Sequence, residues 1–317
     1  MTEAELKNLL TQMEAELNGD PDHDADIMNE WAERYRNVPD GEPFVSEIGR
    51  RLFALALEED PEIPQMLFDD MVETAEEDYK AACRLIDQKD YEKAAAKLGV
   101  LTEVIASYPL SDDAVWKDFT SYLDALIFQD FFSEVIGDRE VRRHPMHPGP
   151  ILFTYGSLLI EMEDAEEALR PLGMLADLDP VCVKYLFELG EAYKRTGRIK
   201  EAFDNALWAA SCAANRSDLA RCYRDMAYCL SEAENYEDSA MLYMLSLHFQ
   251  SSRHAESEIA WIRQKSGVSP EKYDLETIRQ RCAEVGIPVG ISDVVKRNIE
   301  FLKTIDQIEN DGDGSDN

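Results

Sequence analysis

The chain has 317 residues, 45% of them apolar, and carries 65 acidic against 32 basic side chains, a net charge of −33. That apolar content excludes a disordered protein, and the charge excludes a surface built to hold nucleic-acid phosphates or an anionic membrane. No run of about 18 apolar residues occurs, so no membrane-crossing helix is expected, and the acidic start Met1-Thr2-Glu3-Ala4-Glu5 lacks the apolar stretch of a secretory signal, which points to the cytoplasm.

Helical periodicity dominates, with good helix formers (Ala, Leu, Glu, Lys) throughout, and no strands are expected. Residues 1–74 read as an N-terminal helical region. Leu6, Leu9, Leu10 and Met13 mark one helix, and Ile27, Trp31 and Tyr35 a second. Pro39-Asp40-Gly41-Glu42-Pro43 is a turn. Ile48, Leu52, Phe53, Leu55 and Leu57 mark a third helix, and a break falls between Asp60-Pro61 and Pro64.

Residues 75–251 read as five helix pairs, centred on Ala82, Thr120, Gly156, Gly190 and Ala227, at spacings of 38, 36, 34 and 37 residues. The first is closed by Pro109. The second departs from the pattern, because Phe132 stands where a small residue belongs. The third runs Leu152, Tyr155, Gly156, Leu159, then Ala168, Leu172, Leu175 and Pro180. The fourth runs Leu186, Leu189, Gly190, Tyr193, then Ala202, Ala206 and Ala209. Gly156 and Gly190 remove a side chain where two helices cross, and Ala168 and Ala202 do the same from the second helix. Gly197, in the turn Thr196-Gly197-Arg198, is placed for a positive φ. His144-Pro145-Met146-His147-Pro148-Gly149-Pro150 is a non-helical connector. Residues 252–308 give further helices that cap the array, and the acidic tail 309–317 is expected to be disordered.

An apolar–Gly pair, an apolar residue three on and an Ala twelve on resembles the tetratricopeptide repeat (TPR) family. The resemblance covers 75–251 and implies an all-α, right-handed α-solenoid of TPR-like helix hairpins with helical extensions at both ends. It also implies a concave groove lined from the first helix of each hairpin, at six and three before the Gly and one, four and five after it. Those places hold Pro150, Phe153, Ser157, Ile160 and Glu161 in the third pair. In the fourth they hold Lys184, Phe187, Glu191, Lys194 and Arg195, and in the fifth Arg221, Arg224, Tyr228, Ser231 and Glu232.

Two readings of this strip stand. In the first, Phe153, Lys184, Phe187, Lys194, Arg195, Arg221, Arg224 and Tyr228 grip a protein or peptide of acidic character, Arg by paired hydrogen bonds and the rings by apolar contact. In the second, the bases pair with acids on their own and neighbouring helices, Lys184 with Glu188 for example. TPR proteins that clamp a chaperone's terminal carboxylate carry Lys three before the Gly and Asn one after it. Here Phe153 and Ser157, then Phe187 and Glu191, stand there, so that clamp is not preserved. A DNA-reading module at the N-terminus is excluded as well, since residues 1–80 hold 23 acids and 6 bases.

No catalytic signature is present: no phosphate-binding glycine loop, no G-x-S-x-G and no H-E-x-x-H. His144-x-x-His147 lacks the Cys or carboxylate partners of a metal site. The tail 311–316 lacks the glycine and the distal Glu of a calcium loop. The six cysteines form no C-x-x-C pair and read as free thiols of a reducing compartment. The expected function is a non-enzymatic interaction scaffold without cofactor or metal, binding a partner segment in the groove. The alternative is a peptide-sensing regulator whose array changes curvature.

Overall fold

The computed structural model describes residues 3–35, 38, 41, 44–45, 47–49, 51–52, 63–108 and 110–312. These are helical almost throughout, and among them no helix is long and apolar enough to cross a membrane. The chain divides into two compact parts, residues 1–88 with 99–110 and residues 89–98 with 111–317.

The first part opens with α1 (Glu3–Glu14) and α2 (Pro21–Tyr35). Their apolar faces meet in a core of Met13, Met28, Trp31 and Ala32, joined by Phe44 and Ile48. Trp31 stacks on Tyr35 with ring centres 6.0 Å apart, and Phe44 meets Tyr35 edge-on at 4.9 Å. Most of the expected turn at 39–43, the residues Phe53, Leu55 and Leu57, the break at 60–62 and the closing Pro109 lie outside the described residues. Helix α3 (Ile63–Asp87) carries Pro64 in its first turn, where the missing N–H costs nothing. It then runs unbroken through the boundary expected between 74 and 75, because no Gly or Pro interrupts 65–87. Helix α4 (Tyr91–Ser107) follows, and the division between the two parts crosses it.

The second part corrects the expectation that strands are absent. Ala114–Lys117 (β1) and Glu140–Arg143 (β2) pair in parallel, Ala114 opposite Glu140, on either side of α5 (Tyr122–Ile136). The region expected to form the second helix pair is therefore a strand–helix–strand unit. Trp116 lies in a strand, and Thr120 precedes the helix, whose N-cap is Ser121. Phe132 explains the departure. It takes a non-helical conformation inside α5 and packs against Phe128 and Trp208. A ring of that size cannot enter a close helix crossing. The strand ends are tied by Asp118, a buried carboxylate that accepts from the Gly149 N–H at 2.9 Å and Arg143 Nε at 3.1 Å.

Helices α6 (Gly149–Glu161), α7 (Ala165–Leu178), α8 (Val183–Arg195), α9 (Ile199–Cys212), α10 (Arg216–Glu232), α11 (Tyr236–Phe249) and α12 (Arg253–Ser266) follow. Each packs on the next, and α8 also touches α6 and α10. The connector is non-helical only through Pro148, since Gly149 and Pro150 already lie in the first turn of α6. Pro180 stands just past Leu178, and Asp179 before it leaves the helical region at φ −139°. Gly197 takes φ +72° as its turn requires.

The small residues sit at the crossings. Ala168 and Ala202 are buried, and a Cβ on Gly156 would fall 2.4 Å from Leu172 Cδ2. Gly156→Ala thus sets overpacking of about 1–3 kcal/mol against a helix-propensity gain of about 1 kcal/mol. At that separation overpacking wins. Urea unfolding should show a lower midpoint for Gly156→Ala, partly restored by adding Leu172→Ala.

The end of the chain departs from a simple cap. A single 3₁₀ turn (Pro270–Lys272) and α13 (Leu275–Glu284) do pack on α11. The last helix, α14 (Asp293–Gly312), returns instead to α5. There Val295 and Ile299 join a cluster with Phe128, Phe131, Phe132 and Trp208, while Arg297 and Asn298 both donate to Asp130 at 2.9 Å. The wide aromatic face that Phe132 forces on α5 needs such cover. The helix also overruns the boundary set for a disordered tail. The apolar repeat Val295, Ile299, Leu302, Ile305 supports the helix, which runs to Gly312, and 313–317 lie outside the described residues.

Candidate functional site

Three helices contribute one face each to a groove of about 870 Å³. Glu191, Lys194 and Arg195 come from α8. Arg221, Arg224, Asp225, Tyr228, Ser231 and Glu232 come from α10, and His254, Ser257, Glu258 and Trp261 from α12. Within each helix these residues recur at three- and four-residue steps, which puts them on one side of it.

Five of the eight residues picked from the sequence line this groove: Lys194, Arg195, Arg221, Arg224 and Tyr228. Phe153, Lys184 and Phe187 do not. Lys184 Nζ stands 4.1 Å from the centre of the Phe153 ring rather than pairing with Glu188, and Phe187 is buried with the Arg221 guanidinium 4.0 Å above it. The wall supplied by α12 was missed. Its signal was His254, Ser257, Glu258 and Trp261 at the same helical spacing, in a segment read only as a cap. Trp261 is 46% exposed, a large apolar surface on the groove wall.

The groove bases are largely matched by acids. Lys194 Nζ lies 2.9 Å from Glu191 and 3.0 Å from Asp225. Burial disfavours its charge, but Asp225 and Glu191 outweigh that and raise its pKa above the ordinary value. Burial likewise disfavours the Glu191 carboxylate, yet hydrogen bonds from Arg195 and Lys194 hold its pKa below the ordinary value. Arg195 Nε bonds Glu191 at 2.9 Å, and its other end donates to the Ile160 carbonyl at 3.0 Å. Arg221 Nε approaches Asp225 at 3.8 Å.

Arg224 is different. Its Nη2 reaches Gln250 Oε1 at 3.5 Å, and its Nη1 is buried with no hydrogen-bond partner. Burial pulls its pKa below the usual guanidinium value, Asp225 opposes the shift, and Arg221 adds to it. A buried charged donor left without an acceptor is costly. The arrangement therefore leaves the Arg224 guanidinium with one long hydrogen bond, on a groove wall that also carries Tyr228 and the exposed Trp261, beside the ion-paired Lys194–Glu191–Asp225 network.

His144 and His147 do not converge on a shared ligand position. His144 is buried and its Nδ1 accepts from the Met146 N–H at 3.2 Å, while His147 Nδ1 faces Asp118 at 3.6 Å. The one group of three ligating side chains found among the described residues is Asp124, Asp179 and Cys182, beside α5 and outside the groove. All six cysteines are free, and Cys83 is the only one not buried. No protein-family model matches the chain, and no curated protein matches it.

Proposed function

We propose that this chain is a non-enzymatic interaction protein of the TPR kind, a right-handed α-solenoid over α6–α12 that holds a partner segment in the groove of α8, α10 and α12. Packing of each helix on the next, with small residues at the crossings, supports the solenoid. The observation that carries the binding reading is the wall of an 870 Å³ groove, where the Arg224 guanidinium makes one long contact, to Gln250 at 3.5 Å, on the same lining as Tyr228 and the exposed Trp261. A turn of that guanidinium toward the groove gives a carboxylate on the partner a paired donor, and an apolar neighbour on the partner covers Trp261 and Tyr228. Because Glu191 and Asp225 already pair with Lys194, Arg195 and Arg221, the partner needs one well-placed acid rather than an acidic run. Both Lys194 and Glu191 are held charged, the opposite of what a proton-transfer group working near neutral pH requires. Six unbridged cysteines support a reducing compartment such as the cytoplasm.

A peptide display library tests this. Enriched peptides should carry an Asp or Glu beside an apolar side chain, and their affinity should fall steadily as salt is raised toward molar concentrations. Enrichment of basic peptides, or none, would overturn the proposal.

A further inference from the structure

Asp124, Asp179 and Cys182 come together because three helix ends converge. Asp124 stands in the first turn of α5, Asp179 caps the C-terminus of α7, and Cys182 is the N-cap of α8. One ligating atom from each lies within 4.8 Å of the other two. Thr120 bridges them: its N–H donates to Asp179 Oδ2 at 2.9 Å, and its hydroxyl lies 2.6 Å from Asp124 and 3.5 Å from Cys182 Sγ. A hydroxyl has one proton to give, so it serves only one of those acceptors at a time.

Asp179 is wholly buried, and its Oδ1 has no hydrogen-bond partner. A second carboxylate, Asp124, faces it, which makes a lone charge there harder still to hold. One cation gathers two carboxylates and a thiol placed this close, with the Lys117 ammonium turned to the Asp177 carbonyl.

We propose that Asp124, Asp179 and Cys182 form a site for a single divalent cation of the zinc type, with three protein ligands and a fourth, open position. The thiolate selects a soft or borderline ion over magnesium or calcium. Tetrahedral zinc would draw the three atoms to about 3.3–3.5 Å apart, a contraction of roughly an ångström that side-chain rotation supplies. On the α5 side Asp124 is half-buried, and its neighbours Thr120 and Ser121 line an open hollow of about 640 Å³.

The full chain, stripped with a chelator and titrated with cobalt(II), provides the test. One equivalent should bind, with a thiolate-to-cobalt charge-transfer band in the near ultraviolet that zinc abolishes. Cys182→Ser should remove the band, and both it and Asp179→Asn should weaken binding by at least the roughly 10–100-fold that loss of an outer-sphere partner costs. Cys212→Ser, which alters a buried thiol close enough to feel both carboxylates, should keep band and affinity. Should Asp179→Asn fail to fold, Cys182→Ser decides, since it exchanges sulfur for oxygen at nearly the same volume. No thiolate band, or one that survives Cys182→Ser, overturns the site. So does stoichiometric binding that Cys182→Ser leaves unweakened.

Discussion

Reversing Arg221 and Arg224 to Glu together is expected to abolish capture of the partner while leaving helicity and thermal midpoint almost unchanged. The two side chains play unequal parts. Arg221 covers Phe187 and leans on Asp225, which keeps Lys194 at 3.0 Å when Arg221 is lost, so the network survives. Arg224 has only a long contact to Gln250, and in the proposed binding mode it turns to the partner's carboxylate. Removing one member of a buried charge pair across an interface costs about 2–5 kcal/mol. The lower figure is already roughly a 30-fold loss of affinity, and reversal adds repulsion from a groove that also holds Glu232 and Glu258. Arg224→Gln, which keeps hydrogen-bonding capacity without charge, should fall between wild type and the double variant. Affinity for a selected peptide, read by fluorescence anisotropy beside circular dichroism, checks both. Undiminished binding by the double variant would mean that these bases serve only their neighbouring acids.

Acid should unfold the protein through His144. Its imidazole is 2% exposed, and burial pulls its pKa down to about 4, with Asp118 opposing the shift and His147 adding to it. Arg143 also pairs with Asp118. An unfolded histidine titrates near 6.5. Between about pH 6.5 and 4 the unfolded chain therefore takes up a proton that the folded chain refuses, so stability falls as pH falls across that window and levels off below it. The loss from this one group is about 2 kcal/mol from pH 7 to 5 and about 3 kcal/mol by pH 4. Protonation would also place a hydrogen on Nδ1, which now accepts from Met146. Urea midpoints at pH 7 and pH 5 should thus diverge more for wild type than for His144→Asn, whose amide oxygen can still accept from Met146. Equal divergence would show that other groups carry the acid sensitivity.

The helices of the second part were legible because their periodic apolar faces and small crossing residues are local signals. Gly156, Ala168, Pro180, Gly190, Gly197 and Ala202 mark close crossings, helix ends and a left-handed turn. The groove was half legible on the same basis. Once α8 and α10 are helices, Lys194, Arg195, Arg221, Arg224 and Tyr228 must share faces, whereas Trp261 escaped because no Gly-centred pattern marks α12.

By itself, then, the amino-acid order determined the helices from α6 to α11, where they cross closely, and which α8 and α10 faces carry charge beside aromatic rings. Only the tertiary structure decided that β1 and β2 pair in parallel around α5, that α14 returns to α5, that Arg224 keeps only a long contact to Gln250 while Lys194 is satisfied, and that Asp124, Asp179 and Cys182 meet. The physical reason is range. Helix propensity, capping and periodicity act over a few residues, but strand pairing, the cover of an aromatic face and the hydrogen-bond balance of a buried group depend on partners tens to more than a hundred residues away, which no local pattern records.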